Sequence, residues 1–347
     1  MPPQVKRWTF ALIALAALAA SIFAACGGDD GDAGASNMPA ADDGALTIVT
    51  TVAPITSLAE NIAGTNARVI GIVPEGTNSH TFEPAPSDAR TLASADIIFV
   101  NGLRLEQPTM DLAEANKKDA TEIVTLGDMT VTEADWKFDF SFPKDKGDPN
   151  PHLWPNVPFA LRYAQIIHDK LVALDPDNTA DYDANYAKLK SRLEALDAGI
   201  KAASQTVPEQ SRKLLTYHDS WAYWADTYGF TVIGAIQPSD FSEPSAKDIA
   251  DLIEQVKREK VPAIFGSEVF PSDALETIAD ESGAEYIDDL RDDDLPGEPG
   301  GDEHSYVGLM VTNMKIMLPA LGGNADALEG IPTGLVFQGE SQAEYPQ

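Results

Sequence analysis

Three segments each set a histidine beside proline, asparagine or an aromatic residue: Ser79-His80-Thr81-Phe82-Glu83-Pro84, Asn150-Pro151-His152-Leu153-Trp154 and Thr216-Tyr217-His218-Asp219-Ser220-Trp221. The whole chain has five histidines, so three in such matched settings point to a shared task. Neutral imidazole is the commonest side-chain ligand for transition metals, because one ring nitrogen offers a lone pair at neutral pH. Singly, each would read as a hydrogen-bonded loop histidine; jointly they read as a metal site. His168 lies inside a helical pattern and His304 follows an acidic loop, so both are expected to be structural or solvent-facing.

Three imidazoles leave a divalent cation with its full charge, which an anionic ligand would relieve. The run Leu290-Arg291-Asp292-Asp293-Asp294-Leu295 offers one, with a place at the metal for one of its three aspartates. In so acidic a chain the same run also reads as a solvated loop. Glu243 and Glu268, both in loop contexts, are candidates to orient a ligating histidine through its second ring nitrogen.

These residues need elements to carry them. β-branched runs at 46–52, 67–73, 96–100 and 122–125 alternate with helical patterns at 55–63 and 87–92. A second series follows, with strands expected at 213–217, 231–235, 263–265 and 285–287 and helices at 220–228, 245–258 and 271–281. Such alternation implies an α/β fold of two lobes with mainly parallel sheets. Between the series, Tyr182, Tyr186, Leu189, Leu193, Leu196, Ile200 and Ala203 recur at spacings of four and three, one apolar stripe on a helix. Pro176 and Pro208 bracket it. The expected organisation is a first lobe over 45–176, a linking helix over 177–207 of roughly 40 Å, and a second lobe over 208–347. His80 and His218 follow strands, and open α/β sheets bind ligands beyond the carboxyl ends of their strands. A site using all three histidines must therefore lie in the cleft between the lobes.

Upstream of the body, Lys6 and Arg7 precede an apolar run over 8–23, then Ala24, Ala25 and Cys26. The pattern predicts a signal peptide over 1–25. Cys26, the one cysteine of the chain, excludes an intrachain disulfide. Its position resembles the lipobox of bacterial lipoproteins, with Phe23 where leucine is usual. Residues 26–44 then comprise a lipid-bearing cysteine and a tether of Gly, Ala, Asp and Ser that cannot bury enough surface to fold. Formal net charge is −31, which sets the chain against nucleic acid and anionic headgroups.

Over about 45–321 the chain resembles the substrate-binding proteins of bacterial ABC transporters for zinc and manganese. The resemblance is carried by His80 with Glu83-Pro84 and Ser87-Asp88, by Pro151-His152-Leu153-Trp154, and by Tyr217-His218-Asp219 with Trp224 and Tyr228-Gly229. Ser305-Tyr306 and Asn313 complete it. It implies two α/β lobes joined by one long helix, and His80, His152, His218 and Asp293 as metal ligands, with Asp292 and Asp294 one place either side. It implies no catalysis, but capture of one divalent ion outside the cytoplasmic membrane by a monomer anchored through Cys26. Delivery is to an ABC permease driven by its ATPase; this chain has no Walker motif.

Three nitrogens and one carboxylate suit tetrahedral zinc. His218 stands where manganese-associated members have glutamate, which favours Zn(II). The 135–150 stretch lacks the histidine-rich loop of many zinc members, which leaves manganese or mixed uptake open. Two other classes compete. A zinc hydrolase would also use three protein ligands, but there is no HExxH helix and a fourth protein ligand would leave water no place. A surface adhesin would not need the cation ligands at all.

Overall fold

The computed structural model describes residues 45–239, 241–267, 269, 272–340 and 343–346. The expected signal peptide, Cys26 and tether lie outside the described residues, as does Glu268. Among the described residues no helix is long and apolar enough to cross a membrane.

The first sheet grows from β1 (Leu46–Thr50), β2 (Ala67–Gly71), β3 (Ile97–Val100) and β4 (Glu122–Thr125). Its helices are α1 (Ala53–Ala63), α2 (Asp88–Ser94), α3 (Gln107–Asn116) and α4 (Val157–Leu174). Then α5 (Thr179–Ser204) leads to the second sheet: β5 (Lys213–Thr216), α6 (Ala222–Tyr228), β6 (Thr231–Ala235), α7 (Ala246–Glu259), β7 (Ala263–Phe265), α8 (Asp273–Ser282) and β8 (Glu285–Ile287). Helix α9 (Tyr306–Ala320) and strand β9 (Ala343–Glu344) follow. Strand order is β4-β3-β1-β2-β9 in one sheet and β6-β5-β7-β8 in the other. All pairings are parallel, as the alternating pattern predicts.

Local chemistry explains the boundaries. The first strand stops at Thr50 rather than at 52 because Val52 becomes the residue preceding α1, whose first turn contains Pro54. At the far end Gly64 takes φ +61°, and a Cβ there would lie 2.7 Å from Asn185 Nδ2 on α5. Helix α7 opens on a reciprocal cap: Ser245 accepts from the Asp248 amide, and the Asp248 side chain accepts from the Ser245 amide.

Along the strands, alternate residues part company. Ile48, Ile97 and Phe99 face one core while Val49, Ile98 and Val100 face another. Leu214 and Phe265 of the second sheet join the same core as Ile48; Leu215 and Ile264 face a third. The shared core also takes the α5 stripe, with Tyr182, Leu189, Leu193, Leu196, Ile200 and Ala203 buried and Tyr186 packed at its edge. The linking helix is therefore a central pillar, packed on α1, α4, α6 and α9. Gly44–Gln347 forms one compact unit.

The end of the chain corrects the expected 208–347 lobe. Ala343 and Glu344 pair with Val69 and Ile70 of β2, so the last strand belongs to the first sheet. An ion pair between Arg68 and Glu344 fastens it.

Candidate metal centre

Each histidine is delivered by a loop at the carboxyl end of a strand. His80 lies between β2 and α2, and His152 between β4 and α4. His218 comes two residues after β5, which stands between β6 and β7 where the winding of the sheet reverses. A residue two positions upstream shapes each loop. Asn78 Oδ1 accepts from the His80 amide at 2.9 Å and Asn150 Oδ1 from the His152 amide at 3.0 Å, both Asx turns. Thr216 Oγ1 donates to the His218 carbonyl at 2.7 Å.

The three rings converge. Nε2 of His80 lies 3.1 Å from that of His152 and 3.2 Å from that of His218, and the last two are 2.9 Å apart. Asn150 fixes the His152 tautomer: its Nδ2 donates to the Asp219 carbonyl and to Asp139, so its Oδ1 must accept from His152 Nδ1, at 2.8 Å. Gln237 Oε1 likewise accepts from His218 Nδ1 at 2.6 Å. Protonation at Nδ1 turns the Nε2 lone pairs toward a common point. Lone pairs so placed repel one another unless a cation stands among them. A tetrahedral zinc with nitrogens at ~2.0–2.1 Å separates them by about 3.3 Å, close to the spacing seen.

Burial reinforces this. It holds the His80 imidazole well below its ordinary pKa, with His218 adding to the effect. His152 is lowered by burial and then by both neighbouring rings. Neutral imidazoles are the form that binds metal.

The three aspartates have three different positions. Asp293 Oδ2 accepts from Ser79 Oγ at 2.5 Å, while its buried Oδ1 has no hydrogen-bond partner. Asp292 sends its carbonyl to Trp154 Nε1 and brings Oδ2 within 3.7 Å of His218 Nε2. One ligand atom from each of His152, Asp292 and Asp293 can lie within 4.8 Å of the others. Asp294 turns away and accepts from the Gly76 amide at 2.7 Å. Burial, and then Asp292, pushes the Asp293 carboxyl well above its ordinary value; burial lifts Asp294 to about 6. Two acidic groups so close and so dry call for a positive charge.

Several participants were not legible in the sequence. Glu243 is exposed, and Gln237 meets His218 in the role considered for a glutamate. Ser79, Asn150, Phe142 and Phe241 also touch the site. The Asn-x-His spacing at Asn78 and Asn150 was the available signal; the aromatic contacts left none. His168 hydrogen-bonds with Asp169 and Asp183 away from the site, and His304 is buried beside Glu75 and Tyr345. Beside the site, Asp139 Oδ2 accepts from Asn150 Nδ2 and Asp219 Oδ2 from the Ser141 amide, and burial followed by the Asp219 charge pushes the Asp139 carboxyl up to about 9.

Comparison with known proteins points one way. The family model described as zinc-uptake complex component A, periplasmic, matches residues 48–320. The manganese-binding lipoprotein MntA of Halalkalibacterium halodurans is 29% identical over 91% of this chain and 99% of its own length. The zinc-binding protein TroA of Treponema pallidum is 28% identical over 81% and 91%. The solved structure of TroA superposes with a TM-score of 0.72 at 27% identity, covering 80% of this chain and 99% of TroA. A manganese-bound periplasmic metal-binding protein from Candidatus Liberibacter asiaticus gives 0.70 at 25% identity, covering 80% and 99%.

Proposed function

The chain belongs to the zinc-uptake complex component A family, and from that premise we propose that it captures one divalent transition metal ion outside the cytoplasmic membrane and hands it to an ABC permease. The observation that carries this reading is the triangle of Nε2 atoms 2.9–3.2 Å on a side. His80, His152 and His218 supply three nitrogens, and Asp293 supplies Oδ1 while Ser79 fixes its other oxygen. Zinc is the favoured cargo, since this set makes a closed tetrahedral shell.

A manganese reading is favoured by one observation, the approach of the Asp292 carboxylate to His218. A second carboxylate would raise the coordination number and harden the site, which suits Mn(II). Names among the relatives divide the same way, with MntA and TroA called manganese- and zinc-binding and YfeA of Yersinia pestis iron-binding. With four protein ligands no position remains for an activated water, so the chain is a carrier and not a hydrolase. The 1–25 signal, a lipid on Cys26 and a monomeric body belong to the same reading, as does a permease with its ATPase as partner.

Elemental analysis of protein from its native host tests the reading. About one zinc or manganese per chain is expected, absent from His152→Ala. Equal metal content in the two proteins would refute it.

A further inference from the structure

One of the three imidazoles is held differently from the others. His152 and His218 rest Nδ1 against the side-chain amides of Asn150 and Gln237. Among the described residues no hydrogen bond holds Nδ1 of His80, whose Nε2 faces the other two imidazoles. Two phenyl rings flank the imidazole instead. Phe241 lies nearly parallel to it, centroids 4.7 Å apart at 23°, and Phe142 is tilted at 5.4 Å and 40°. Phe142 belongs to the segment leading to His152, whereas Phe241 comes from the loop after β6 in the second sheet.

Phe241 also adopts φ +57°, a left-handed conformation that crowds the Cβ of an L-residue against its own backbone. Its amide donates to the Pro238 carbonyl at 2.9 Å, closing the turn that points the ring at His80. A strained conformation persists where its surroundings over-determine it. Among the described residues, the rings that Phe241 meets are those of His80 and Phe142.

Resting on the metal-site reading above, we propose that Phe241 is the positioning residue for His80, and that its stack couples metal retention to closure of the loop after β6 over the site. An imidazole that has given its lone pair to a cation is electron-poor, so the negative face of a phenyl ring attracts it more than it attracts the neutral ring. The contact is thus stronger in the loaded protein, and such a difference shifts the population toward the closed form when metal arrives. Reciprocally, closure slows release. His80 is the partly exposed member of the triad, and Phe241 stacks on it.

The test is stopped-flow transfer of Zn(II) from the full chain, purified in detergent, to an excess of chromophoric chelator, with the Co(II) absorption spectrum as a readout of ligand geometry. Phe241→Ala is expected to release metal at least tenfold faster and to shift the Co(II) bands. Phe241→Tyr should restore the wild-type rate. Phe241→Leu keeps apolar bulk without a ring face and should release as fast as alanine; a wild-type rate in the leucine variant overturns the coupling. A larger effect from Phe142→Leu than from Phe241→Ala overturns the assignment to Phe241. A wild-type rate in Phe241→Ala, while His152→Ala no longer binds, removes Phe241 and leaves the site standing. Undiminished binding in His152→Ala removes the site and the proposal together.

Discussion

The inner and outer faces of the two sheets are built on different terms. Toward the inside, Ile48 and Phe99 of one sheet and Leu214 and Phe265 of the other contribute to a single core threaded by α5. Toward the outside each sheet has a private layer: Val49, Ile98 and Val100 under α2 and α3, and Leu215 and Ile264 under α7 and α8. The private layers differ again. Helices α7 and α8 press Ile253, Val256, Leu275 and Ile278 onto their sheet, whereas α3 buries only Thr109 and Ala113. Two lobes that share a core cannot separate like domains on a string. Opening must be confined to the loops at the strand ends, where Ser79, Gly76 and Glu75 meet the Asp293, Asp294 and Leu295 segment.

The comparison can be broken most sharply at His152, whose neighbours Leu153, Trp154 and Val157 are in the shared core. His152→Ala should cost at least about a thousandfold in Zn(II) affinity, ~4 kcal/mol, with an unchanged circular dichroism spectrum. Calorimetry showing wild-type affinity would detach the site from that core. Leu193→Ala, in the middle of the α5 stripe, should cost about 3 kcal/mol and lower amide protection in both sheets. Ile278→Ala removes a comparable side chain from the outer layer, and its loss of protection should be confined to α7, α8 and their strands. Equal spread in the two variants would mean that the layers are not independent.

Titration sharpens the contrast between the dry site and its surroundings. In the metal-free protein the raised Asp293 carboxyl contributes stability below its ordinary value of 3.8, which is lost as pH climbs through its folded value. The depressed His80 and His152 act oppositely: below 6.5 the unfolded chain takes up the protons that the folded one refuses, so acid destabilises. Metal requires all these groups deprotonated. The gap in melting temperature between loaded and metal-free protein should therefore widen from pH 5 to pH 8 by several degrees. A constant gap in scanning calorimetry would contradict the carboxylate's part. The smallest effect belongs to the outer layer. Ser245→Ala removes the α7 cap and should cost about 1 kcal/mol, read as fraying of the first turn by hydrogen exchange with metal affinity unchanged.

The legible parts of this molecule were those with a period or a motif. The α5 stripe announced itself because seven apolar residues repeat on one helical face, and the strands because β-branched runs recur between helices. Helix α3 was missed because two small buried positions make no apolar stripe. Strand β9 was missed because two residues carry no alternation. At the site, the histidines and the aspartate run could be read from neighbouring residue types. Gln237 and Phe241 could not, since their partners stand 19 and 161 positions away and nothing local marks them.

Strand β9 carries a consequence for how the molecule is made. Its ion pair joins residues 276 positions apart in the chain, so during synthesis the outer hydrogen-bonding groups of β2 stand uncovered until nearly all the rest has emerged. An unpaired parallel edge is a template for a neighbouring chain. Nascent copies crowded on one message would be most prone to stick together there, and an extension that kept residues 343–346 from docking would prolong that vulnerable interval into the finished protein.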